Sequence, residues 1–540
     1  MGAGILSPAT NTFPLLNHNM GPRNVFALAQ FKQALGTYST AHHGRMDALA
    51  YVLHHPQRPI VSTRFADKLC NGQLAHGENV VVAVCIYSGY NMEDAIILNK
   101  DAAERGRFQA SHYETHVYDE VDGEMSTFAF GNPTELIARG LEVSGAPRRY
   151  DALEADGIPR RNENVQEGDV VLGMIETSRI DGTVVDRSVL ATKKTAGVVD
   201  ACTVHPLPLE RGFGKDSRGA HARRCKIRTR SFRQPELGDK LASRFSQKGV
   251  VGMLLPAIDM PFSASTGITP DMIINPHGFP TRNTGAHVIE CILGKAGVVS
   301  GSRYNVNSLE EPRADPISTA MQTLEELGFH KQGEDVLHNG RTGEQMQVAV
   351  YMGVNYYGRL KHMVADKMQV RSRGPVNAIH RQPVKTQGGS GGLRIGEMEN
   401  NALISHGVAS FIKESLVDRS DRTRLTIDAE EGVTGHSLPL AGGRERSEAV
   451  PGSGVDAGPP EFASIEIPYA MKLMQQELAT MAIDMRLHLD PIEEDSAHEE
   501  DSDEEDEDDV AEAEEEESDG EAELGEFEDD ADVGVHVGED

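Results

Sequence analysis

The alternation of apolar and polar positions divides this chain into stretches of different character. Residues 79–87 (NVVVAVCIY) are a nearly unbroken apolar run rich in valine, the pattern of a short strand buried on both faces. A turn-like Ser88-Gly89-Tyr90-Asn91 follows, and residues 95–98 read as a second short strand. Residues 111–210 are polar, with short alternating stretches at 169–174 and 184–190 that predict an inserted antiparallel β module. Helical periods come next. Residues 284–297 place Val288, Ile289, Ile292 and Leu293 on one face, with Thr284 suited to the N-cap and Gly297 to the end. Residues 316–328 keep Ile317, Met321 and Leu324 in register, and 396–416 predict a longer helix. Residues 419–460 are rich in Gly, Pro, Ser and charge and read as linker. A last helix starts at Pro468, a good first helical residue, and carries Leu473 and Met481 on a shared face. No repeat of fixed period is present.

Composition changes this picture in one place. The 540 residues carry a net charge of −32, but residues 491–540 alone hold 28 Asp+Glu and no Lys or Arg. The first 490 residues are left with 56 acids against 52 bases, close to neutral. The tail cannot bury apolar surface and repels itself, which predicts disorder. Hydrophobic residues at 39% are enough for a core in the body, so full disorder of the chain is excluded. No apolar run approaches the roughly 20 residues that span a bilayer. The N-terminus shows no basic and apolar regions of a secretory signal, so the expected location is intracellular. The five cysteines are odd in number and scattered, which argues against a disulfide framework.

Two windows break the neutrality of the body. Residues 211–248 hold 12 Lys/Arg against Asp216, Glu236 and Asp239, and residues 356–394 hold 8 against Asp366 alone. Local positive fields of this kind suit a polyphosphate backbone, whose binding releases counterions. Lys240, Arg244 and Lys248 are four apart and would form a cationic stripe if their segment were helical. In the second window, glycines 388, 389, 391 and 392 around Ser390 precede Arg394 and permit close backbone approach to a ligand. Neither window fits a Walker A pattern, and no GxGxxG follows a strand. Glu93 and Asp94 are adjacent carboxylates in a turn between the two probable strands, able to converge on a hard cation such as Mg²⁺. An adjacent pair of this kind is by itself a weak signal.

Six blocks together resemble a known family. They are residues 17–36 (NHNMGPRNVFALAQFKQALG), 77–108 (GENVVVAVCIYSGYNMEDAIILNKDAAERGRF), 236–252 (ELGDKLASRFSQKGVVG), 259–282 (DMPFSASTGITPDMIINPHGFPTR), 356–398 (containing YYGRLKHMVADKMQVRSRGPV and RQPVKTQGGSGGLRIGEM) and 467–481 (IPYAMKLMQQELATM). In this order they resemble the second-largest, beta-type subunit of multisubunit DNA-directed RNA polymerases, in its C-terminal portion. The wording of residues 77–108, together with the split architecture noted below, is most similar to viral members from large nucleocytoplasmic DNA viruses, which implies a host nucleus or a cytoplasmic viral factory and packaging in the virion.

The resemblance implies a fold, partners and site residues. The implied fold is mixed α+β and multidomain: a double-psi β-barrel hybrid-binding core with an inserted β-rich wall module, then helical anchor and clamp segments and a disordered acidic tail. The implied regions are 1–110 and 226–362 for the two parts of the hybrid-binding core and 111–225 for the wall-like insertion. They continue with 363–418 for an anchor, 419–464 for a linker, 465–490 for a clamp helix and 491–540 for the tail. Lys240 and Lys248 match lysines at the growing RNA end and hybrid backbone, and His362 a histidine that donates a hydrogen bond or proton near the leaving pyrophosphate. Arg23 and Arg282 match arginines on the nucleotide's phosphates, Gln33 a residue lining the RNA–DNA hybrid, and Glu93 and Asp94 the acidic pair beside a second Mg²⁺. The principal Mg²⁺ belongs to an aspartate triad on the largest subunit, so the implied nucleotidyltransferase is active only with that subunit. Further implied partners are small assembly subunits, DNA template and RNA, and no membrane. Two departures stand out. The family's long N-terminal half has no counterpart, so either the subunit is split, with a separate chain carrying that half, or this is a partial chain. The four cysteines of a clamp zinc ribbon are missing between Ser420 and Ile465, so no zinc site is expected. The competing reading is a non-catalytic nucleic-acid-binding or assembly remnant of such a subunit.

Overall fold

The computed structural model describes residues 4, 6–122, 125–140, 142–144, 148–192, 195–206, 223–308, 315–385, 391–428, 437–439, 445–447 and 462–488. The acidic tail, the first three cations of the first basic window and glycines 388 and 389 lie outside the described residues. The chain forms two compact units, Met1–Asp366 and Lys367–Asp540. The elements used below are, in chain order, α1 (Gly21–Phe31), β1 (Leu49–Leu53), β2 (Glu78–Val84), β3 (Ala95–Asn99), β4 (Ala110–Asp119), β5 (Gly197–Pro206), β6 (Arg223–Arg233), β7 (Lys240–Ser243), β8 (Lys248–Leu255), β9 (Met272–Ile274), α2 (Gly278–Arg282), α3 (Gly285–Ser300), α4 (Pro316–Glu326) and β10 (Val350–Arg359).

The first unit is built on a closed barrel. Its six strands run β7-β8-β3-β9-β2-β10, and β10 returns to β7 through Leu241↔Arg359, Ala242↔Gly358 and Ser243↔Tyr357. The pairing is mixed: β8 runs parallel to β3 and β9 parallel to β2, while the other neighbours are antiparallel. The apolar run of β2 now has its reason. Val80 and Val82 pack with Ile96, Leu98, Val251 and Met272 in one cluster, while Ala83 joins Ile97, Ile273 and Met352 in another. A strand covered on both faces has no position where a polar side chain is cheaper than an apolar one.

Helix α3 lies against β10. A Cβ on Gly294 would stand 2.0 Å from the Val354 carbonyl oxygen, so this glycine exists for close approach of helix and strand. Gly297 does not end the helix, as its sequence position suggested. The helix continues to Ser300 and stops at Gly301 in the left-handed region, φ 69°. Thr284 also departs from expectation, because its side chain caps no backbone amide of α3. Helix α4 starts as predicted, with Pro316 in its first turn and the Asp315 carboxylate accepting from Ile317 N and Ser318 N.

The inserted module begins earlier and ends later than 111–225. Its five-stranded sheet has the order β1-β4-β6-β5 followed by Asn164–Val165, and so recruits β1 from the first region. β6 pairs with β4 and β5 along Arg223–Arg233 and crosses the expected boundary at 225/226 without interruption. A second five-stranded sheet is formed from strands between residues 121 and 186.

In the second unit the predicted helix 396–416 is two helices, Glu397–His406 and Ala409–Lys413, with one π-helical turn, Glu414–Asp418, after them. Gly407 at φ 80° breaks the first. The expected linker is anchored by strands at both ends, since Arg422–Asp428 pairs antiparallel with Phe462–Pro468 around Leu425, Ile427 and Ile467. Within it, Ser437–Pro439 pairs with Glu445–Ser447. The last helix, Tyr469–Thr480, takes Pro468 as its N-cap, not its first residue, and leaves Met481 exposed beyond its end. Among the described residues no helix is long and apolar enough to cross a membrane.

Candidate active site

The rim of the barrel gathers side chains from four separate segments. Lys240 and Lys248 do not share a helix. They stand on β7 and β8, an antiparallel hairpin with Lys240 opposite Val250 and Ala242 opposite Lys248. In that register both lysines fall on the same face of the pleat, about 7 Å apart along the diagonal. Arg244, the middle cation of the conditional stripe, is buried instead, where it pairs with Glu290 and donates to the Val61 carbonyl at 2.7 Å. A buried guanidinium paired with a buried carboxylate is a structural fixture. Burial pushes the Glu290 carboxyl above its ordinary range, and the Arg244 guanidinium works against that shift.

Parallel pairing of β8 with β3 brings the acidic turn to Lys248. Val250 N donates to the Asp94 carbonyl at 3.2 Å. A Cβ on Gly249 would lie 2.4 Å from that same oxygen, so the glycine after Lys248 is what lets the two strands meet here. Glu93, Asp94, Gln247 and Lys248 line one small cleft with Asn275 and Gly278. Arg282, at the end of α2, grips Asp94 beside it: Nη1 donates to Asp94 Oδ1 at 2.5 Å and Nη2 to Asp94 Oδ2 at 2.7 Å. This is a bidentate fork, the strong form of the contact. Three residues next to these groups hold non-glycine side chains in the left-handed region: Glu93 at φ 54°, Ser246 at φ 60° and Asn283 at φ 48°. Strain of about 1–3 kcal/mol per such residue persists only where surrounding structure over-determines it, and it clusters at functional sites.

A second group sits along β7. Lys240 N donates to the His362 carbonyl at 3.3 Å, and Lys361 N donates to the Gln33 carbonyl at 3.0 Å. His362 Nε2 lies 2.9 Å from Gln33 Oε1. An amide oxygen only accepts, so in this contact Nε2 is the donor. Arg23 is carried to the Arg282 side by the segment before α1. Asn19 bridges to Thr284, and Ala286 N donates to Asn19 Oδ1 at 3.1 Å. Its guanidinium lies 5.6 Å from the centre of the Phe26 ring. Of the sequence-predicted residues, Glu93, Asp94 and Lys248 therefore line one cleft, with Arg282 paired to Asp94 beside it. Lys240, His362 and Gln33 form a neighbouring set, and Arg23 belongs to a third segment attached to α3.

The basic windows need correction as a whole. Arg223, Arg224, Arg228 and Arg233 on β6 pair with Glu120, Asp119, Asp200 and Asp366. Arg359, counted in the second window, pairs with Asp239 at 2.7 Å with both side chains 1% exposed. Much of the positive charge read along the sequence is thus balanced inside the fold, by carboxylates up to 133 residues away. Gln247 also lines the cleft and accepts from Arg282, although the sequence motifs did not single it out. Its only local signal is its place before Lys248.

Among the described residues no group of three or more His, Cys, Asp and Glu side chains could hold an ion. Both oxygens of Asp94 are engaged by Arg282, which leaves Glu93. Mg²⁺ needs only one or two carboxylates when phosphates and water fill its shell, so these residues fit a shared ion and not one held by this chain alone.

Comparison with known proteins places these observations. The model of the family described as RNA polymerase Rpb2, domain 6, matches residues 9–388, and that of Rpb2, domain 7, matches residues 391–490. The chain is 37% identical over 495 residues to DNA-directed RNA polymerase II subunit RPB2 of Encephalitozoon cuniculi, covering 90% of this chain and 41% of that protein. It is 36% identical to DNA-directed RNA polymerase II subunit 2 of Arabidopsis thaliana, over 89% of this chain and 39% of that one. It is 34% identical to DNA-directed RNA polymerase subunit Rpo2 of Saccharolobus solfataricus, over 90% of this chain and 42% of that one. The chain thus spans about two-fifths of the length of the curated relatives it matches.

Proposed function

Because the chain belongs to the RNA polymerase Rpb2 family, we propose that it forms the active-centre portion of the second-largest subunit of a DNA-directed RNA polymerase, binding the RNA–DNA hybrid and the incoming nucleotide. The observation that carries this reading is the convergence of Glu93, Asp94 and Lys248 on one cleft, with Arg282 paired to Asp94 and Lys240 on the same hairpin face. In the reaction the RNA 3′-oxygen attacks the α-phosphate and pyrophosphate leaves. Mg²⁺, when bound, supplies Lewis-acid stabilisation of the attacking and leaving oxygens, with Glu93 and Asp94 the residues here that would share it. Arg282 and Arg23 hold phosphate oxygens through their guanidinium forks. Lys240 and Lys248 neutralise charge at the RNA end and along the hybrid backbone. His362, oriented by Gln33, donates from its ring toward the leaving pyrophosphate. The closed barrel is read as the double-psi type, the β module as the wall, and the second unit as anchor and clamp segments.

The largest subunit, small assembly subunits, DNA and RNA complete the proposed assembly. The viral placement, and with it a nuclear or viral-factory location, belongs to this proposal and is supported by the wording of residues 77–108. The test is reconstitution. The chain by itself is expected to extend no RNA, and with its partners to extend primed RNA in Mg²⁺. Lys240→Ala, Lys248→Ala and Arg282→Ala each lower extension about 30-fold to 1000-fold with assembly intact, the loss of one charge-assisted phosphate contact. Wild-type rates for all three over a full nucleotide titration would return the chain to a non-catalytic assembly role.

A further inference from the structure

Gln247 occupies the turn between β7 and β8, one residue before Lys248. The turn is closed by Ser243 N donating to the Gln247 carbonyl at 3.0 Å. The side-chain amide spans the short helix that carries Arg282. Nε2 donates to the Gly278 carbonyl at 3.0 Å, at the start of α2, and contacts Thr284 Oγ1 at 2.6 Å, just beyond its end. Oε1 faces the other way and accepts from Arg282 Nη1 at 3.1 Å. The orientation of the amide is forced, because a backbone carbonyl can only accept and a guanidinium can only donate. Thr284 is 1% exposed, so its hydroxyl is spent on this amide and not on capping α3.

The guanidinium of Arg282 is therefore held by two groups of different kind. Asp94 is a charged partner with 44% of its side chain exposed, open to competition from another anion. Gln247 is neutral, and its amide is tied down at both ends of α2. From this geometry, and resting on the function proposed above, we infer that Gln247 is a positioning residue for nucleotide recognition. It keeps Arg282 aimed into the cleft while Asp94 serves as an exchangeable counter-ion, which the triphosphate of the incoming nucleotide displaces. A neutral tether suits this exchange. A second carboxylate would hold the arginine more tightly in the empty site and oppose the phosphate, whereas an amide fixes direction without adding competing charge.

The test uses the assembled polymerase and steady-state extension with nucleoside triphosphates as the titrated probe. Gln247→Ala is expected to raise the nucleotide KM roughly 10-fold, the scale of one hydrogen bond to a charged group, with kcat changed much less. In an Arg282→Ala background the same substitution is expected to add nothing, because the two residues act as a unit. Gln247→Glu keeps the side chain's length and is expected to raise KM further, with the excess shrinking as salt is raised. This variant carries the test if Gln247→Ala does not assemble. An unchanged KM in both variants, or an equal KM rise with and without Arg282, would overturn the inference and leave Gln247 a structural residue of the turn. The outcomes separate this inference from the reading beneath it. If Arg282→Ala itself leaves nucleotide use unchanged, the proposed site falls. If Arg282→Ala impairs it and the Gln247 variants do not, only the tether falls.

Discussion

Arg359 and Arg282 both pair with an aspartate, one at the seam where the barrel closes and one at its rim. At the seam, Arg359 donates to the carbonyls of Phe108, Arg233 and Gln234 as well as to Asp239. The other oxygen of Asp239 accepts from Val364 N at 3.1 Å. Burial pulls the Arg359 guanidinium below its ordinary range, and Asp239 opposes that shift. At the rim, the side chains of Arg282 and Asp94 are 25% and 44% exposed, and the neutral amide of Gln247 also accepts from Arg282. The difference shows what surroundings do to one chemical pair. The seam pair is bolted between strands and cannot be released without stranding a charge in the core. The rim pair is wet on one side and can trade its partner. Asp239 stands next to Lys240 in sequence, so the bolt also sets where the rim's lysine emerges.

The comparison can be broken at its strongest point first. Arg359→Met leaves Asp239 buried without a counter-charge and is expected to cost about 3–5 kcal/mol of stability. The double variant Arg359→Met/Asp239→Leu should recover part of that loss. Denaturant midpoints of the full chain measure both, and a loss below about 1 kcal/mol for the single variant would show that the seam pair is no bolt.

A smaller effect is expected from acid. His76 and His287, buried around the same barrel, have their pKa lowered to about 3 by desolvation, His76 with an added push from Arg244. Unfolded histidine titrates near 6.5. Above that value both states are neutral and the groups contribute no pH dependence. Below it the unfolded chain takes up protons that the folded core refuses, so stability falls as pH falls, by about 1.4 kcal/mol per pH unit for each histidine. At pH 5 this amounts to about 2 kcal/mol for each. Unfolding curves at pH 7 and pH 5 test it, with His287→Gln expected to remove its share of the slope. An unaltered slope would mean that this histidine is not held neutral.

The smallest effect belongs to the rim. Asp94→Asn should change the stability of the chain by less than about 1 kcal/mol, since partly exposed ion pairs contribute little and are screened by salt. A loss as large as that of the seam variant would erase the distinction between the two regions.

Much of the barrel was legible along the chain. The apolar run 79–87 and the stretch 95–98 became β2 and β3, and the 3.6-residue rhythm after Thr284 became α3. The order of the six motif blocks was enough to identify the family. The stripe of Lys240, Arg244 and Lys248 was not legible as it stands, because spacing by four suits a helix and the apolar alternation of β7 and β8 prevails. The reach of β1 and β6 across the expected module boundaries was hidden for a related reason, since strand partners are chosen across the sheet and not along the chain.

Local pattern settled which segments are strands and helices, where the chain turns, and which residue types are present for phosphate chemistry. It does so because backbone sterics and side-chain periodicity act over a few residues. Which cations face a ligand and which are consumed inside the fold was settled by packing. Arg244, Arg359 and Arg282 are equal in composition, yet their carboxylates come from positions 46, 120 and 188 residues away. Pairing at such separations depends on how the barrel closes, and burial then decides the outcome, because a charge removed from water must be matched while a charge left at the rim stays free to exchange.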